Sequence, residues 1–445
     1  MVGRRSAGRS AFGIVVLFLV VWVDLARADA FPDTISFDGF ETCGLKCQRV
    51  ACSGGATTSL SGIVNAPNGT LPLPDVEVYI PNSTLDTFVD GPNAPRCDKA
   101  PSGHPILATL TGTDGRFRLD NVPVAANLKV VVLAGKWRRV VTLPSVNACV
   151  DNALDPDKTR LPATHVEGDI PHTAIVTGSA DSLECLMRKT GVADGEFGPG
   201  SGSARFQLFV GNGTAASSAG SFANASTLWT DSTALSPYDQ VMLACEGSQP
   251  AVAQTNINGM KSYADSGGRI YFSHWQNIWV GGSISGSPTG AWPSITTFNF
   301  NNGQPSSPPA ATVITSFDHG AQFSQWLVQV GASGSAGSLT LSQPRQNAIT
   351  PDPTLARAGL SLTTADFGTS TPYFTFTTPI ESAPSAQKGR VLFVDLHASL
   401  GDSSTGGLTF PGGGCMTSLT SLEPQEKALL YGIFDLQRCV DSTRE

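Results

Sequence analysis

The chain has 445 residues, with 28 Lys+Arg against 36 Asp+Glu and a formal net charge of −8. That balance argues against nucleic acid or an anionic membrane surface as the main partner. The length suits two domains of about 100–200 residues each. Only 14% of residues are charged and 47 are Gly, a composition common in exported β-rich proteins.

Arg4, Arg5 and Arg9 precede an apolar run at 11–23, and Ala26-Arg27-Ala28 and Ala28-Asp29-Ala30 offer small residues at cleavage spacing. A basic start, a short apolar core and an A-x-A end describe a secretory signal peptide, expected here over 1–28. The run falls short of the roughly 20 apolar residues of a membrane anchor, and the first Cys, Cys43, lies too far on for a bacterial lipid anchor. Loss of Arg4, Arg5, Arg9 and Arg27 with Asp24 would take a net +3 away, leaving a mature chain near −11. That product is expected to be secreted, periplasmic or extracellular, with no transmembrane anchor. Nine Cys in an exported chain imply disulfides, and the odd count leaves at least one unpaired. Cys43, Cys47 and Cys52 cluster in an extension at 29–56. Their spacing also permits zinc, but thiols in an oxidising compartment pair readily.

From residue 57 the pattern alternates. Ser59-Leu60-Ser61-Gly62-Ile63-Val64, then Val76, Val78 and Ile80 on one face, then 107–110 and 116–119 read as short strands, followed by 127–133 and 137–143. Asp114-Gly115 between two alternating runs predicts a hairpin. Several short strands at this spacing predict a β-sandwich over 57–162. The Lys136-Trp137-Arg138-Arg139 run reads as a strand whose charges face water while Trp137 packs, or as a basic contact patch.

The second half changes character. Apolar strands are predicted at 173–177, 205–210, 238–244, 270–273 and 389–396. Helices are predicted at 180–190, capped by Ser179 or Asp181, at 257–265 and at 424–436. Strands alternating with helices indicate a doubly wound parallel sheet over 171–445. Between 281 and 388 helix signals fade and Gly, Ser, Thr and Pro accumulate, which reads as a long, β-rich insertion. The expected class is therefore multi-domain β plus α/β: a small β-sandwich, then a flavodoxin-like sheet with that insertion.

Ser61-Gly62-x-Val64, Pro72-x-Pro74-x-Val76-x-Val78 and Thr113-Asp114-Gly115-x-Phe117-x-Leu119-x-x-Val122-Pro123 resemble the carboxypeptidase regulatory-like, transthyretin-like domain, a small sandwich that implies no catalysis of its own. The order of elements over 171–280 and 389–440 resembles the class I glutamine amidotransferase-like fold, in its ThuA-like branch. The pairing of the two modules is similar to a group of bacterial secreted proteins. In an amidotransferase the third strand ends in a glycine turn, here Cys245-Glu246-Gly247. The next strand ends in a sharp elbow carrying the nucleophilic Cys, and His274 stands there. The late catalytic His matches His397, but its carboxylate partner two residues on is Ser399. With no thiolate at the elbow, thioester chemistry has no nucleophile.

The candidate site follows from where these strands end. His274, His397, Glu246 and Asp395 are expected at one sheet edge, where open α/β sheets bind ligands. Asp395 and His397, two apart, are expected on one strand face. Two imidazoles with carboxylates suit a divalent metal, held by His274 and His397 with His319 in reserve, or a His/Glu acid–base pair. The alternative is an inert remnant of an ancestral site. Cys245 reads as a disulfide or buried thiol, and Ser273-His274 with Asp395 as a weak hydrolase triad. Trp275, Trp279, Trp292 and Trp326 offer faces for sugar rings or fill the core. The leading expectation is an exported binding or surface-assembly protein, with a carbohydrate or cell-surface protein as partner. The competing one is a metal- or His-dependent enzyme acting on a glycan or small polar substrate.

Overall fold

In the computed structural model the residues described are 44–230, 233–300, 303–316, 319–398, 409–412, 415 and 421–441. The expected signal peptide, Cys43, Asp318 and Ser399 lie outside them. The fold is mixed and sheet-rich, with few helices. Two sheets face each other in the first part. One holds Arg116–Asp120, Ser59–Ile63 and Asp151–Ala153; the other runs Pro105–Leu110, Glu77–Pro81, Leu128–Ala134, Trp137–Leu143. Alternation explains the packing: Phe117 and Leu119 point inward from Arg116–Asp120 while their neighbours are exposed, and they share a core with Leu60, Val78, Ile80, Val130 and Val132.

The hairpin predicted at Asp114-Gly115 is overturned. Arg116–Asp120 pairs with Ser59–Ile63, and Pro105–Leu110 pairs with Glu77–Pro81, so the turn carries the chain from one sheet to the other. Gly115 takes φ 74° there and Asp114 Oδ1 accepts the Arg116 N–H at 3.0 Å. Such a turn has the same local chemistry in a hairpin and in an arch between sheets, so the sequence does not separate them.

The large sheet contains Phe206–Val210, Thr173–Thr177, Gln240–Leu243, Arg269–Ser273 and Gly389–Val394 in that spatial order, all parallel. The last four are buried along their whole length, as strands covered on both faces must be. Beyond Gly389–Val394 the sheet continues antiparallel through Gly368–Thr378, Ala356–Thr364, Ala310–Val313 and Ser338–Thr340. The stretch read as an insertion thus extends this sheet, and it contains a helix, Gly320–Gln329, which the sequence reading missed. Helix Pro424–Leu436 packs its apolar residues on the same core.

The Lys136–Arg139 strand is neither a water-facing edge nor a contact patch. Trp137 packs against Phe206 and Phe434, at ring centroid distances of 6.2 and 6.1 Å, so one apolar cluster runs from the sandwich into the large sheet. Lys136 is buried with Asp239 in an ion pair, and its Nζ also donates to the Val89 and Gly91 carbonyls at 2.8 and 3.0 Å. Arg138 donates to Asp169 at 2.7 Å. The charges point inward because their partners, Asp239 just before Gln240–Leu243 of the large sheet and Asp169 in the segment leading to that sheet, lie outside the strand, which local pattern cannot show. Disulfides join Cys52 to Cys149, Cys97 to Cys439 and Cys185 to Cys415, and among the described residues Cys245 is the free cysteine. Cys97–Cys439 closes a separation of 342 residues.

Removing one member of a buried pair leaves an uncompensated charge, which destabilises by about 3–5 kcal/mol, against about 0–1 kcal/mol for an exposed pair. Lys136→Met should therefore lower unfolding free energy in urea by about 3–5 kcal/mol. Arg118→Met, which breaks the half-exposed contact with Asp120, should change it by less than about 1 kcal/mol. Equal losses would contradict the buried joint.

A thiol and two imidazoles at the edge of the parallel sheet

Three adjacent parallel strands end within one residue of a common level. Leu243 pairs with Phe272 and Ser273 with Val394, so continuing the register past the strand ends sets Cys245, two residues beyond Leu243, level with His274 and Asp395. On the far side of Gln240–Leu243, the Thr173–Thr177 strand leads into Gly178, where a Cβ would meet the Cys245 carbonyl oxygen at 2.1 Å. Only glycine lets these two chains approach so closely.

His274 is an elbow. The strand Arg269–Ser273 stops, His274 takes φ 42°, and a 3₁₀ turn over His274–Gln276 leads into helix Asn277–Val280. Positive φ is uncommon for a residue with a Cβ and clusters at functional sites. The next turn is held by Gln276, whose Nε2 donates to the Ala244 carbonyl at 2.8 Å and to Glu246 Oε1 at 3.2 Å. Trp279 Nε1 donates to Gln276 Oε1 at 2.8 Å.

The elbow brings His274 Nδ1 to 3.3 Å from Cys245 Sγ, and the His274 and His397 rings lie 5.3 Å apart. One ligand atom from each of Cys245, His274 and His397 falls within 4.8 Å of the others. The backbone around His397 is clamped from two directions: its carbonyl accepts from Gln425 Nε2 at 2.9 Å, and the Ala398 N–H donates to Asp181 Oδ1 at 2.7 Å. The three residues are 0%, 1% and 2% exposed.

Burial sets the charge states. It pushes the Cys245 thiol up to about 12, against the N–H groups of Trp275 and Gly247 that face the sulfur. Burial, with His397 and Arg345 nearby, drives His274 well below its ordinary range, and burial with Arg345 takes His397 down to about 3. The pair is therefore a neutral thiol beside a neutral imidazole. His274 Nε2 and both His397 ring nitrogens have no hydrogen-bond partner among the described residues, and neither do Asp181 Oδ2 and Asp395 Oδ1. A buried polar atom left unsatisfied costs about 1–3 kcal/mol.

Of the four residues proposed from sequence, His274 and His397 meet as expected. Glu246 is half-buried and bonds Gln276, outside the thiol–imidazole cluster. Asp395 is fully buried but turns to the other loop, where its Oδ2 accepts the Asn347 and Ala348 N–H groups at 2.8 Å each. The strand ends at Val394, so the two-residue period does not extend from Asp395 to His397. His319 belongs elsewhere, 3.1 Å from Arg438 and 3.6 Å from Asp435. Ser273 Oγ lies 3.4 Å from the Leu396 carbonyl. Trp275, Trp279, Trp292 and Trp326 are buried and fill the core. Cys245, set aside in the sequence reading, belongs to the cluster. Asp181 was read as a helix cap; its bond to Ala398 spans 217 residues, which no local pattern signals.

No family model matches the chain, and no curated protein matches it. Among solved structures, a protein described as ThuA-like from Parabacteroides merdae aligns over 61% of this chain and 91% of its own, with 13% identity and a TM-score of 0.34. Another described as ThuA-like, from Bacteroides uniformis, aligns over 59% of this chain and 89% of its own, with 11% identity and a TM-score of 0.30. A cohesin–X-dockerin complex from Acetivibrio cellulolyticus aligns over 34% of this chain and 80% of its own, with 16% identity and a TM-score of 0.16. These likenesses decide nothing about the chemistry.

Burial raises Asp395 from 3.8 to about 7, against the Ala348 and Asn347 N–H groups. A carboxyl with a raised folded-state pKa stabilises most below its unfolded value and loses that contribution as pH rises through the folded one. Asparagine keeps the acceptor oxygen and does not titrate. The stability of Asp395→Asn relative to wild type should therefore improve steadily from about pH 4 to pH 8. A difference independent of pH in chemical denaturation would show that Asp395 is ionised in the fold.

Proposed function

We infer that this chain is an exported binding or surface-assembly protein, in which a carboxypeptidase regulatory-like sandwich at 57–162 is built onto an amidotransferase-like domain at 171–445 that lacks thioester chemistry. The observation that carries this reading is the elbow itself: His274 occupies it at φ 42°, and the nearby thiol is buried. A nucleophilic cysteine needs thiolate character and access to substrate. Cys245 is 0% exposed, and its surroundings hold the proton on sulfur. His274, driven toward neutrality by the same burial, is poorly placed to stabilise a thiolate as an imidazolium.

The spatial order of the five parallel strands, with the direction of winding reversing between Thr173–Thr177 and Gln240–Leu243, supports a flavodoxin-like arrangement of this sheet. The crevice expected at such a reversal is bridged by Asn212, which accepts the Ser179 N–H at 2.8 Å and donates to the Glu246 carbonyl at 2.6 Å. An enzyme acting through His274 and His397 needs an opening at imidazoles that are 1% and 2% exposed. A groove of 580 Å³ lies instead on the sandwich, lined by Ser61, Thr109, Leu110, Arg116 and Phe117 among others. Its mixed lining, with Arg116, Arg118, Ser61 and Thr109 beside Leu110 and Ile63, fits a carbohydrate or a cell-surface protein.

Purified protein incubated with glutamine should release ammonia no faster than buffer, and Cys245→Ser should behave identically. Wild-type turnover abolished by Cys245→Ser would turn the reading into a glutaminase with a relocated nucleophile.

A further inference from the structure

We propose that Cys245, His274 and His397 form a buried thiolate–bis-imidazole centre for a single transition-metal ion of the zinc–copper class. The His397 ring, both of whose nitrogens lack a partner among the described residues, points to it, since an ion takes one nitrogen from each imidazole. A Cys–His hydrogen bond accounts for Sγ and Nδ1 at 3.3 Å, but it leaves His274 Nε2 and both nitrogens of His397 without partners, inside a site at most 2% exposed. Buried imidazole nitrogens normally find a donor, an acceptor or a metal.

The spacing is close to a ligand set. Bonds of about 2.0–2.3 Å to nitrogen and sulfur put ligand atoms roughly 3.4–4 Å apart around one ion. The Cys245–His274 pair, at 3.3 Å, stands just under that separation, and the 4.8 Å span of the three atoms needs to close by about 0.8–1.4 Å to reach it. One soft sulfur and two imidazoles select zinc or copper over calcium or magnesium, whose ligands are oxygens. Coordination replaces the Sγ proton with the ion, and the proton leaves to solvent. The N–H groups of Gly247, 3.4 Å from Sγ, and of Trp275 suit a sulfur carrying negative charge. The positive φ at His274 and the clamp on both sides of His397 hold the rings in place before the ion arrives, as a preorganised site requires.

The test uses the full chain purified without a histidine tag, stripped with a chelator and titrated separately with Zn(II), Cu(II) and Co(II). The expected result is one equivalent bound, with a thiolate-to-metal charge-transfer band in the Co(II) or Cu(II) form. Cys245→Ser should abolish the band, and Cys245→Ser and His397→Gln should each weaken uptake at least tenfold. Tight uptake of zinc, copper or both, with that band, supports the centre. No stoichiometric uptake, uptake without a sulfur charge-transfer band, or uptake unchanged in both variants would overturn it. The wild-type spectrum decides the matter even if a variant fails to fold.

Discussion

The register of three parallel strands is the constraint on which the rest of this structure depends. Pairing Leu243 with Phe272 and Ser273 with Val394 makes the three strands stop within one residue of each other. Neighbouring strands lie about 4.8 Å apart, and residues level with one another point the same way. A cysteine two residues past one strand end therefore stands beside a histidine one residue past the next. A one-residue slip would send the whole set to the opposite face. Backbone pairing thus sets the two residues side by side, and the elbow at His274 turns its ring onto the thiol.

That contact shows where local reading stops. The apolar runs at 173–177 and 270–273 and the polar residues that end them were legible, because buried parallel strands are continuous in hydrophobicity and break abruptly. So was the elbow position of His274. The partnership of Cys245 was not, because it rests on the register between two strands that the sequence does not show. Asp181, Arg345 and Gln425 reach the edge from segments distant in sequence, and their residue types carry no signal of it. The inward turn of Asp395 was equally hidden, since it depends on where the strand ends. Lys136 and Arg138 looked solvated because their partners, Asp239 and Asp169, lie outside the strand that carries them. The helix Gly320–Gln329 was obscured by the Gly- and Ser-rich segments around it.

The joint between the sandwich and the large sheet is polar and apolar at once. Trp137 supplies the aromatic anchor, Lys136–Asp239 the buried charge, and Arg438–Asp75, 2.6 Å apart, a second ion pair linking the C-terminal segment to the sandwich. Cys97–Cys439 adds a covalent tie. Such a joint favours holding the sandwich groove in a set orientation.

The central claim is that this edge is dry and its imidazoles neutral. Nitrogen-15 NMR of the histidine rings between about pH 5 and pH 8 tests it most directly, with His274→Gln and His397→Gln assigning the signals among the chain's 6 histidines. The account predicts that neither ring titrates in that range, because burial depresses both and a bound metal would hold them deprotonated as well. A ring at either position that protonates near its ordinary value of 6.5 would place it in contact with water and contradict the account.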